Sequence, residues 1–472
     1  MEKIMLTPYI DRTSNVPMYM QLYESIRGSI IDGTLVAGQK LPSKRGLAQH
    51  LEISVFTIET AYQQLMVEGY VRSEEKRGYY VLDVGDLEGL SRPRKTRVKT
   101  RSTSSVEPEP GFHTNLADPD LFPSAVWARL SKDVITQTTS DLLNTNDPQG
   151  FVGLREAIAD HVFQYRGIRT DASRIVIGAG SESLIPLIVR LLGNGRSYAL
   201  EDPGYPKTAA LYEASGVRLH HIGLDQNGLM ASALQRTDAD VAHIAPSHQF
   251  PSGIVMPVQR RAEILAWAKA KDNRHVIEDD YDTEFRFQGR PVPALMTLDK
   301  AGHVIYMNTF SKSLAPSFRI SYMILPDHLL ESYNRIGRVH ACGVPGPVQR
   351  VLARFMQEGH FERHINRVRV RNRTKAKTLA DILAPLEKVG LLSVFGAENG
   401  LHMVVHLKQG IREDVVIGHA KTLGVAVSGL KAYHKTKNPM TEEGLVIGYS
   451  GLSHADVIRH GKSLRDAISL SV

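Results

Sequence analysis

A strongly basic stretch divides this 472-residue chain into two parts whose hydrophobic patterns differ. Residues 92–101, RPRKTRVKTR, carry six basic side chains and no acidic one, and STSSVEPEPG follows directly. Segments rich in charge, Ser, Pro and Gly cannot bury enough apolar surface to fold. Residues 84–112 are therefore predicted to form a linker between two domains, 1–83 and 113–472. The basic run is either a solvated tether or a segment that contacts phosphates.

The composition is that of an ordinary globular protein, with 42% hydrophobic and 23% charged residues. The single cysteine, Cys342, excludes an intrachain disulfide and a thiolate metal site, which suits a reducing compartment. We find no signal-peptide pattern and no run of about 18 uncharged apolar residues. We therefore expect a cytoplasmic protein without a membrane partner. Its net charge of +7 permits a polyanionic partner.

Residues 18–82 show the pattern of a helix, a helix-turn-helix and a two-stranded wing. Apolar residues recur on one face of residues 18–33. Ser43 and Ser54 each precede a further helical pattern, as N-capping residues do. VRSEEKRGYYVL follows with the pattern of two short strands around a basic turn. The pattern predicts either a DNA-binding domain or a purely structural three-helix lobe.

Three motifs in this part occur in a family-specific order: PS-x-R-x-LA, S-x-x-T-x-x-x-AYQQL-x-x-EGY and a basic RG wing. Over about residues 12–82 they resemble the winged helix-turn-helix of the GntR regulators. In that family Arg usually follows the serine that opens the recognition helix, whereas here Val55 and Phe56 follow Ser54. In such a motif the second helix contacts bases in the major groove and basic flanks hold phosphates. The resemblance implies base contacts by Thr57 and Thr60 and phosphate contacts by Lys44, Arg45, Lys76 and Arg77.

From about residue 113 onward, strand patterns alternate with helical ones, which predicts a layered α/β domain. RIVIGAG, residues 174–180, is an apolar strand that ends in glycine, and Ser181 can begin a helix. Such a turn and helix N-terminus form an anion site from backbone N–H groups. HVIEDDYDTEF, residues 275–285, brings Glu278, Asp279, Asp280 and Asp282 to the end of another strand. Some of them must face solvent or find cationic partners.

Lys312 lies between two serines in YMNTFSKSLAPSFRISYM, residues 306–323, seven residues before Arg319. A solvated surface lysine is the simplest interpretation, yet the flanking residues are typical of a segment that enters a core. Buried lysines are rare without a partner or a covalent role.

A series of motifs in this part follows the order found in fold-type I aminotransferases: DPQG-x-x-x-LR (147–155), GAGS (178–181), DPGY (202–205), PSG (251–253), EDDYD (278–282) and SK with Arg seven residues after the lysine (311–319). Joined to the N-terminal domain, this part resembles the MocR subfamily of GntR regulators and its GabR-like members. The resemblance runs from about residue 12 to the C-terminus. It implies an α/β class fold in which a winged helix-turn-helix precedes an aminotransferase-like domain with a large lobe and a smaller lobe, the latter mainly residues 330–472.

The resemblance also implies that the domain binds pyridoxal 5′-phosphate, with Lys312 forming a Schiff base to it. Asp279 would pair with the pyridinium nitrogen, Tyr281 would donate to the phenolic oxygen, and Tyr205 would stack on the ring. The phosphate would be held by the N–H groups of Ser181 and Glu182, the Ser311 hydroxyl and the Arg319 guanidinium.

The histidine-containing stretches predict no metal site. His220 and His221 are neighbours on a strand and point to opposite faces. The alternating Glu and His of residues 358–364 are typical of a charged helical surface. His248 either reaches the cofactor or substrate, or is a core histidine with satisfied hydrogen bonds.

Two functions agree with the resemblance: a transcriptional regulator that senses an amine through its cofactor, and an active pyridoxal-phosphate-dependent aminotransferase with an appended DNA-binding domain. Transamination requires the substrate carboxylate to be clamped. Aminotransferases usually have Arg just before the C-terminal strand, here LVIGY, and Tyr shortly before DPQG. This chain has TEEG at residues 441–444 and NTN at residues 144–146 instead. We therefore expect a regulator, with at most slow transamination.

The effector is expected to be an amino-acid-type amine, which frees Lys312 by forming an external aldimine. GabR-like members hold the effector carboxylate with two arginines, near the places of Lys207 and Lys431 here. Lysine offers a point charge in place of a bidentate fork, so γ-aminobutyrate is not carried over as the effector. The fold also implies a domain-swapped homodimer, since a flexible linker of this length spans roughly 30 Å.

Overall fold

The computed structural model describes residues 8–83, 85, 109–137, 141, 143–145, 147–287, 292–339, 341–408, 410–436 and 443–472. The chain divides into two compact units, residues 1–107 and 108–472. Most of the predicted linker, including its basic run at 92–101, lies outside the described residues. Among the described helices, none is both long and apolar enough to cross a membrane.

The N-terminal unit has the predicted helix, helix-turn-helix and wing. Its elements are α1 (Met18–Ile31), α2 (Lys44–Leu51), α3 (Val55–Val67), β1 (Val71–Glu74) and β2 (Gly78–Val81), with β1 and β2 antiparallel. Ser43 and Ser54 cap α2 and α3, accepting hydrogen bonds from the Gly46 and Thr57 N–H groups at 3.1 and 3.0 Å. Glu52 ends α2 in the left-handed conformation, φ 54°, which turns the chain toward α3. The unit's core is formed by apolar residues that include Leu22, Ile26, Leu47, Ile58 and Leu65.

A large sheet organises the C-terminal unit. Its strands are β3 (Ile175–Gly178), β4 (Ser197–Asp202), β5 (Arg218–Asp225), β6 (Gly228–Leu229), β7 (Val241–Ile244), β8 (His275–Asp280), β9 (Val304–Thr309) and β10 (Ser321–Ile324). Within the described residues the strand order is β3-β10-β9-β8-β7-β4-β5-β6. The five central strands from β9 to β5 are parallel, and β10 runs antiparallel to both of its neighbours.

Helices cover both faces of this sheet because its strands are apolar on both sides. In β3, Ile175 and Ile177 join one apolar cluster, while Val176 joins the cluster on the opposite face. The helices of this region are α4 (Ser124–Gln137), α5 (Val152–Arg166), α6 (Ser181–Leu192), α7 (Pro206–Ala214), α8 (Ala231–Gln235), α9 (Val258–Lys269), α10 (Phe310–Ser313), α11 (Asp327–Ser332) and α12 (Gly346–Gln357).

The smaller lobe has an antiparallel sheet of its own, in the order β11-β12-β14-β13. Its elements are β11 (Leu392–Phe395), β12 (His402–Leu407), β13 (Ser428–Gly429), β14 (Gly444–Gly448), α13 (His360–Lys388), α14 (Glu413–Thr422) and α15 (His454–Ser469). Helix α12, predicted to belong to this lobe, packs Leu352 and Phe355 into a cluster of the large sheet instead. Its apolar face makes it part of the larger lobe.

Residues 110–118, which we call the strap, lie along the smaller lobe. Phe112 is buried, and its N–H donates to the Ala426 carbonyl at 2.8 Å. Further along, the Ser450 hydroxyl donates to the Leu116 carbonyl at 2.9 Å. At the end of the strap, the buried Asp118 and Lys375 form an ion pair at 2.7 Å. Residues 110–112, assigned to the linker from the sequence, are therefore packed against the smaller lobe.

Candidate functional site

A cavity of about 310 Å³ lies at the carboxyl ends of β4, β7 and β8, where ligands bind in open α/β sheets. The structure brings together here all the residues predicted to hold the cofactor: Tyr205, Ser181, Glu182, Asp279, Tyr281, Ser311, Lys312 and Arg319. Lys207, predicted to bind the effector, also lines the cavity.

Lys312 lies on α10, directly after β9, and its amine reaches the cavity. The amine donates hydrogen bonds to the Thr114 carbonyl and, at 3.0 Å, to Asn115 Oδ1, both in the strap. Burial lowers the pKa of Lys312 to about 8, although the Asp282 charge opposes this shift. An appreciable fraction of the amine is therefore neutral, and hence nucleophilic, near neutral pH.

Each of the four carboxylates of EDDYD has a cationic or histidine partner. Because successive side chains of a strand point to opposite faces, Asp279 faces away from Glu278 and Asp280. Glu278 and Asp280 are buried with Arg166, whose Nε lies 2.6 Å from Asp280 Oδ2. Glu278 also accepts hydrogen bonds from two backbone N–H groups at 2.7 and 2.9 Å. Asp279, between them in sequence, faces the cavity instead.

A hydrogen-bonded chain orients Asp279. Its Oδ2 lies 3.3 Å from Nε2 of His243, and Nδ1 of the same ring lies 2.9 Å from the hydroxyl of the buried Tyr212. Because a carboxylate only accepts, Nε2 carries the proton and Nδ1 accepts from the tyrosine. His243 also lines the cavity and was not predicted from the sequence.

His248 lies outside the residues that line this cavity and bonds to its neighbours instead. Its Nδ1 is 2.9 Å from both oxygens of Asp282 and 3.3 Å from the Tyr281 hydroxyl. His248, Asp282 and His402 lie close enough together to be a candidate metal cluster. However, His402 Nε2 already bonds to the Pro251 carbonyl at 3.0 Å, and His248 to Asp282. These contacts engage Nδ1 of His248, whereas its Nε2 is buried without a hydrogen-bond partner, so neither alternative for His248 is decided.

Another part of the cavity lining has the features of an anion site. Helix α6 begins here after Gly180, which has a left-handed φ of 85°, and the first N–H groups of a helix lack partners within it. Arg319, also left-handed at φ 53°, and Lys207 both pair with the carboxylate of Glu182. Burial raises the pKa of Glu182, but the Lys207 hydrogen bond and the Arg319 charge outweigh burial and lower it. The side chain of Glu182 thus takes the anion's place, whereas the sequence had assigned only its N–H group.

Lys431, the second predicted effector ligand, lies outside the cavity lining. The short turn Leu430–Tyr433 directs its amine to Glu443, while its N–H donates to Glu413 at 3.2 Å. Lys435 lines the cavity in its place. Nothing in the sequence indicated that Lys435 would line the cavity other than its position four residues after Lys431.

Glu201 and Asn115 are among the further polar residues of the cavity that were not predicted. Glu201 lines it near the end of β4 and accepts a hydrogen bond from the Ala245 N–H at 3.0 Å. Burial raises the pKa of Glu201 to about 8, and its Oε1 is buried without a hydrogen-bond partner. Asn115 also lines the cavity, and its Nδ2 lies 3.4 Å from the Tyr205 hydroxyl.

In the N-terminal unit, the predicted phosphate ligands lie beside α3 and in the wing. Lys44 forms an ion pair with Glu59 of α3 at 2.5 Å, and Arg45 is exposed. Lys76 and Arg77 are exposed in the turn between β1 and β2, where Lys76 is left-handed at φ 60°.

The predicted base-reading threonines use their hydroxyls within α3. Thr57 Oγ1 lies 2.8 Å from the Ser54 hydroxyl, and Thr60 Oγ1 donates to the Phe56 carbonyl at 2.9 Å. Both threonines are half-buried, whereas Val55 and Phe56 are exposed.

Two family models match the chain. The model for bacterial regulatory proteins of the gntR family matches residues 18–81, and the model for aminotransferase class I and II matches residues 114–446. These matches cover the N-terminal unit's described elements and the whole cavity described above.

Curated relatives share both parts. The HTH-type transcriptional regulator YhdI of Bacillus subtilis is 35% identical over 460 residues, 96% of each chain. The probable rhizopine catabolism regulatory protein MocR of Rhizobium meliloti is 29% identical over 472 residues, 97% of this chain and 95% of that protein. Among solved structures, the kynurenine aminotransferase of Pyrococcus horikoshii has a TM-score of 0.69 and 24% identity, covering 82% of this chain and 99% of that one.

Proposed function

Since this chain belongs to the GntR-type transcriptional regulators that carry a class I and II aminotransferase domain, we propose that it senses a small acidic amine through pyridoxal 5′-phosphate bound at Lys312. The observation that carries the proposal is the meeting of Lys312, Asp279 and Arg319 in one cavity. The chain thus combines a DNA-binding domain with a site suited to a primary amine.

The residues present fit this cofactor. An amine whose pKa is lowered to about 8 can attack an aldehyde, and a fixed carboxylate, Asp279, can pair with a ring nitrogen. Arg319 and the N-terminus of α6 provide charge and N–H groups for a phosphate. When bound, the cofactor supplies an electrophilic carbon that reacts with primary amines.

A phosphate bound here competes with the Glu182 carboxylate for the Arg319 guanidinium, and the two anions repel each other at close range, so Glu182 is expected to move away when the phosphate binds. Its departure also breaks its ion pair with Lys207. Lys207 is then available for the acidic group of an effector, together with Lys435 on another side of the cavity. Cofactor binding therefore prepares the cation that recognises the effector.

The strap gives the site a route to the linker. Lys312 binds Thr114 and Asn115 of the strap, and the chain leads from there directly back to the linker. Lys312 holds these contacts only while its amine is free. An effector that replaced Lys312 on the cofactor would leave the lysine amine free to bind Thr114 and Asn115 again.

The competing function is full transamination, and one experiment distinguishes it. Purified protein, loaded with the cofactor, is mixed with an amino acid and a keto acid, and product is counted per protein chain. We expect less than a few turnovers, because no Arg precedes β14 at residues 441–443 in the sequence to clamp a substrate carboxylate. Many turnovers would favour the enzyme.

The sensing role is tested by screening amines with and without an acidic group. We expect acidic amines to change both the visible absorbance of the bound cofactor and the affinity for operator DNA. Lys312→Ala should abolish both changes while DNA binding itself persists. The proposal is wrong if the variant keeps an effector-dependent change in DNA affinity.

A further inference from the structure

The exposed face of α3 carries an aromatic ring at its beginning. Phe56 has 76% of its surface exposed, although it is apolar. Thr60, Gln63 and Val67 follow at spacings of four, three and four residues, so these side chains share one face of the helix. This face points away from the core of the N-terminal unit, which is formed by residues such as Ile58 and Leu65 on the other side.

The first turn of α3 offers apolar groups where polar ones were expected. The hydroxyls of Thr57 and Thr60 are engaged with Ser54 and with the Phe56 carbonyl. Val55 and Phe56, by contrast, expose apolar surface at the same end of the helix. The exposed apolar side chains of this turn can therefore read a base only through apolar contact.

The position of this ring favours DNA as its partner. The second helix of a helix-turn-helix contacts base edges with its N-terminal residues. The ion pair between Lys44 and Glu59 holds the N-terminus of α2, with the exposed Arg45, against this helix. An isolated exposed aromatic needs no explanation elsewhere on a surface, but here basic residues that complement phosphates flank it.

The only apolar group that base pairs present in the major groove is the C5 methyl of thymine. We propose that Phe56 recognises a thymine methyl group of the operator. The inference rests on the DNA-binding function and adds the chemical group that is read. It assigns Phe56 as a specificity-determining residue in place of a polar base contact by Thr57 or Thr60.

The test replaces thymine by deoxyuridine, which removes the methyl group alone. The operator is first selected from random duplexes with the full chain, and each thymine is then replaced in turn. We expect deoxyuridine at one thymine position per half-site to lower the affinity of the protein for the duplex about fourfold, the factor that corresponds to one buried methyl group. In Phe56→Ala, affinity for the thymine duplex should fall to the level of the deoxyuridine duplex, and the substitution at that thymine should have no further effect.

Val67→Ala is the matched control, since Val67 is 84% exposed on the same face and about 16 Å further along α3. It should remain as sensitive to deoxyuridine as the unaltered protein, and Phe56→Leu should restore part of the sensitivity. The inference is overturned if no deoxyuridine substitution weakens binding, or if Phe56→Ala stays equally sensitive. If the full chain selects no DNA at all, the DNA-binding function itself fails.

Discussion

Lys312 has the property that its reaction needs, since burial brings its pKa from 10.5 to about 8. Only the neutral amine attacks, so the rate of covalent cofactor attachment should rise with pH and reach half of its maximum near pH 8. We expect this profile when the growth of visible absorbance is followed in cofactor-free protein.

The Asp282 charge raises the pKa of Lys312, so Asp282→Asn should move this midpoint to lower pH. A midpoint near 10.5, or a rate that does not depend on pH, would contradict the assignment of Lys312 as the attacking amine.

Glu182 is the residue at which this site departs most from the sequence expectation. Glu182→Gln removes the charge that competes for Arg319 and Lys207. Cofactor affinity should therefore increase by about fivefold, which corresponds to about 1 kcal/mol for a partly exposed ion pair. Equilibrium dialysis of the cofactor measures this change.

Glu213→Gln is the control for Glu182→Gln. Glu213 pairs with Lys435 at 3.3 Å but does not line the cavity. Equal affinities in the two variants would mean that Glu182 does not compete with the phosphate.

Among the secondary structure elements, the strap depends on α13 for its anchor. Lys375→Met leaves Asp118 buried without its cation, which should destabilise the C-terminal unit by about 3–5 kcal/mol. Urea unfolding followed by tryptophan fluorescence measures this, because both tryptophans, Trp127 and Trp267, lie in this unit.

Lys377→Met, which breaks the exposed pair with Asp381 on the same helix, serves as the comparison. It should cost less than about 1 kcal/mol. A similar loss in both variants would show that the buried pair does not anchor the strap.

For the whole molecule, sensing requires that effector and operator influence each other equally. Effector should change operator affinity by the same factor as operator changes effector affinity. The coupling free energy between the two ligands should be about 1–3 kcal/mol. Titrations of each ligand with and without the other measure both factors. Asn115→Ala removes a Lys312 contact in the strap and should reduce both factors together. Full coupling in that variant would exclude the strap as the route.

Assembly is a separate question for the whole molecule. The aminotransferase-like fold implies a homodimer, and sedimentation of the full chain at several concentrations tests this. A monomer at every concentration at which effector still alters DNA affinity would remove the partner chain from the mechanism.

The sequence alone determined the helix caps, the fold class and the family. Ser43 and Ser54 cap the helices that they were predicted to begin, because capping and helical periodicity depend on a few neighbouring residues. The family and fold class were predicted correctly because motifs with fixed spacing reflect one architecture. The residues that those motifs assign to the cofactor, such as Asp279, Lys312 and Arg319, line one cavity for the same reason.

Tertiary structure decided which side chains meet. Lys312 and Asn115 are 197 positions apart, and no local pattern indicates that they form a hydrogen bond. Lys431 and Lys435 are only four positions apart in the sequence, yet of the two only Lys435 lines the cavity. The short turn Leu430–Tyr433 directs the Lys431 amine to Glu443 instead. Glu182 could be placed at the start of a helix from the sequence. That its carboxylate would pair with Lys207 on α7 and with Arg319 just before β10 required the packed chain, because such pairs depend on the three-dimensional position of each charge.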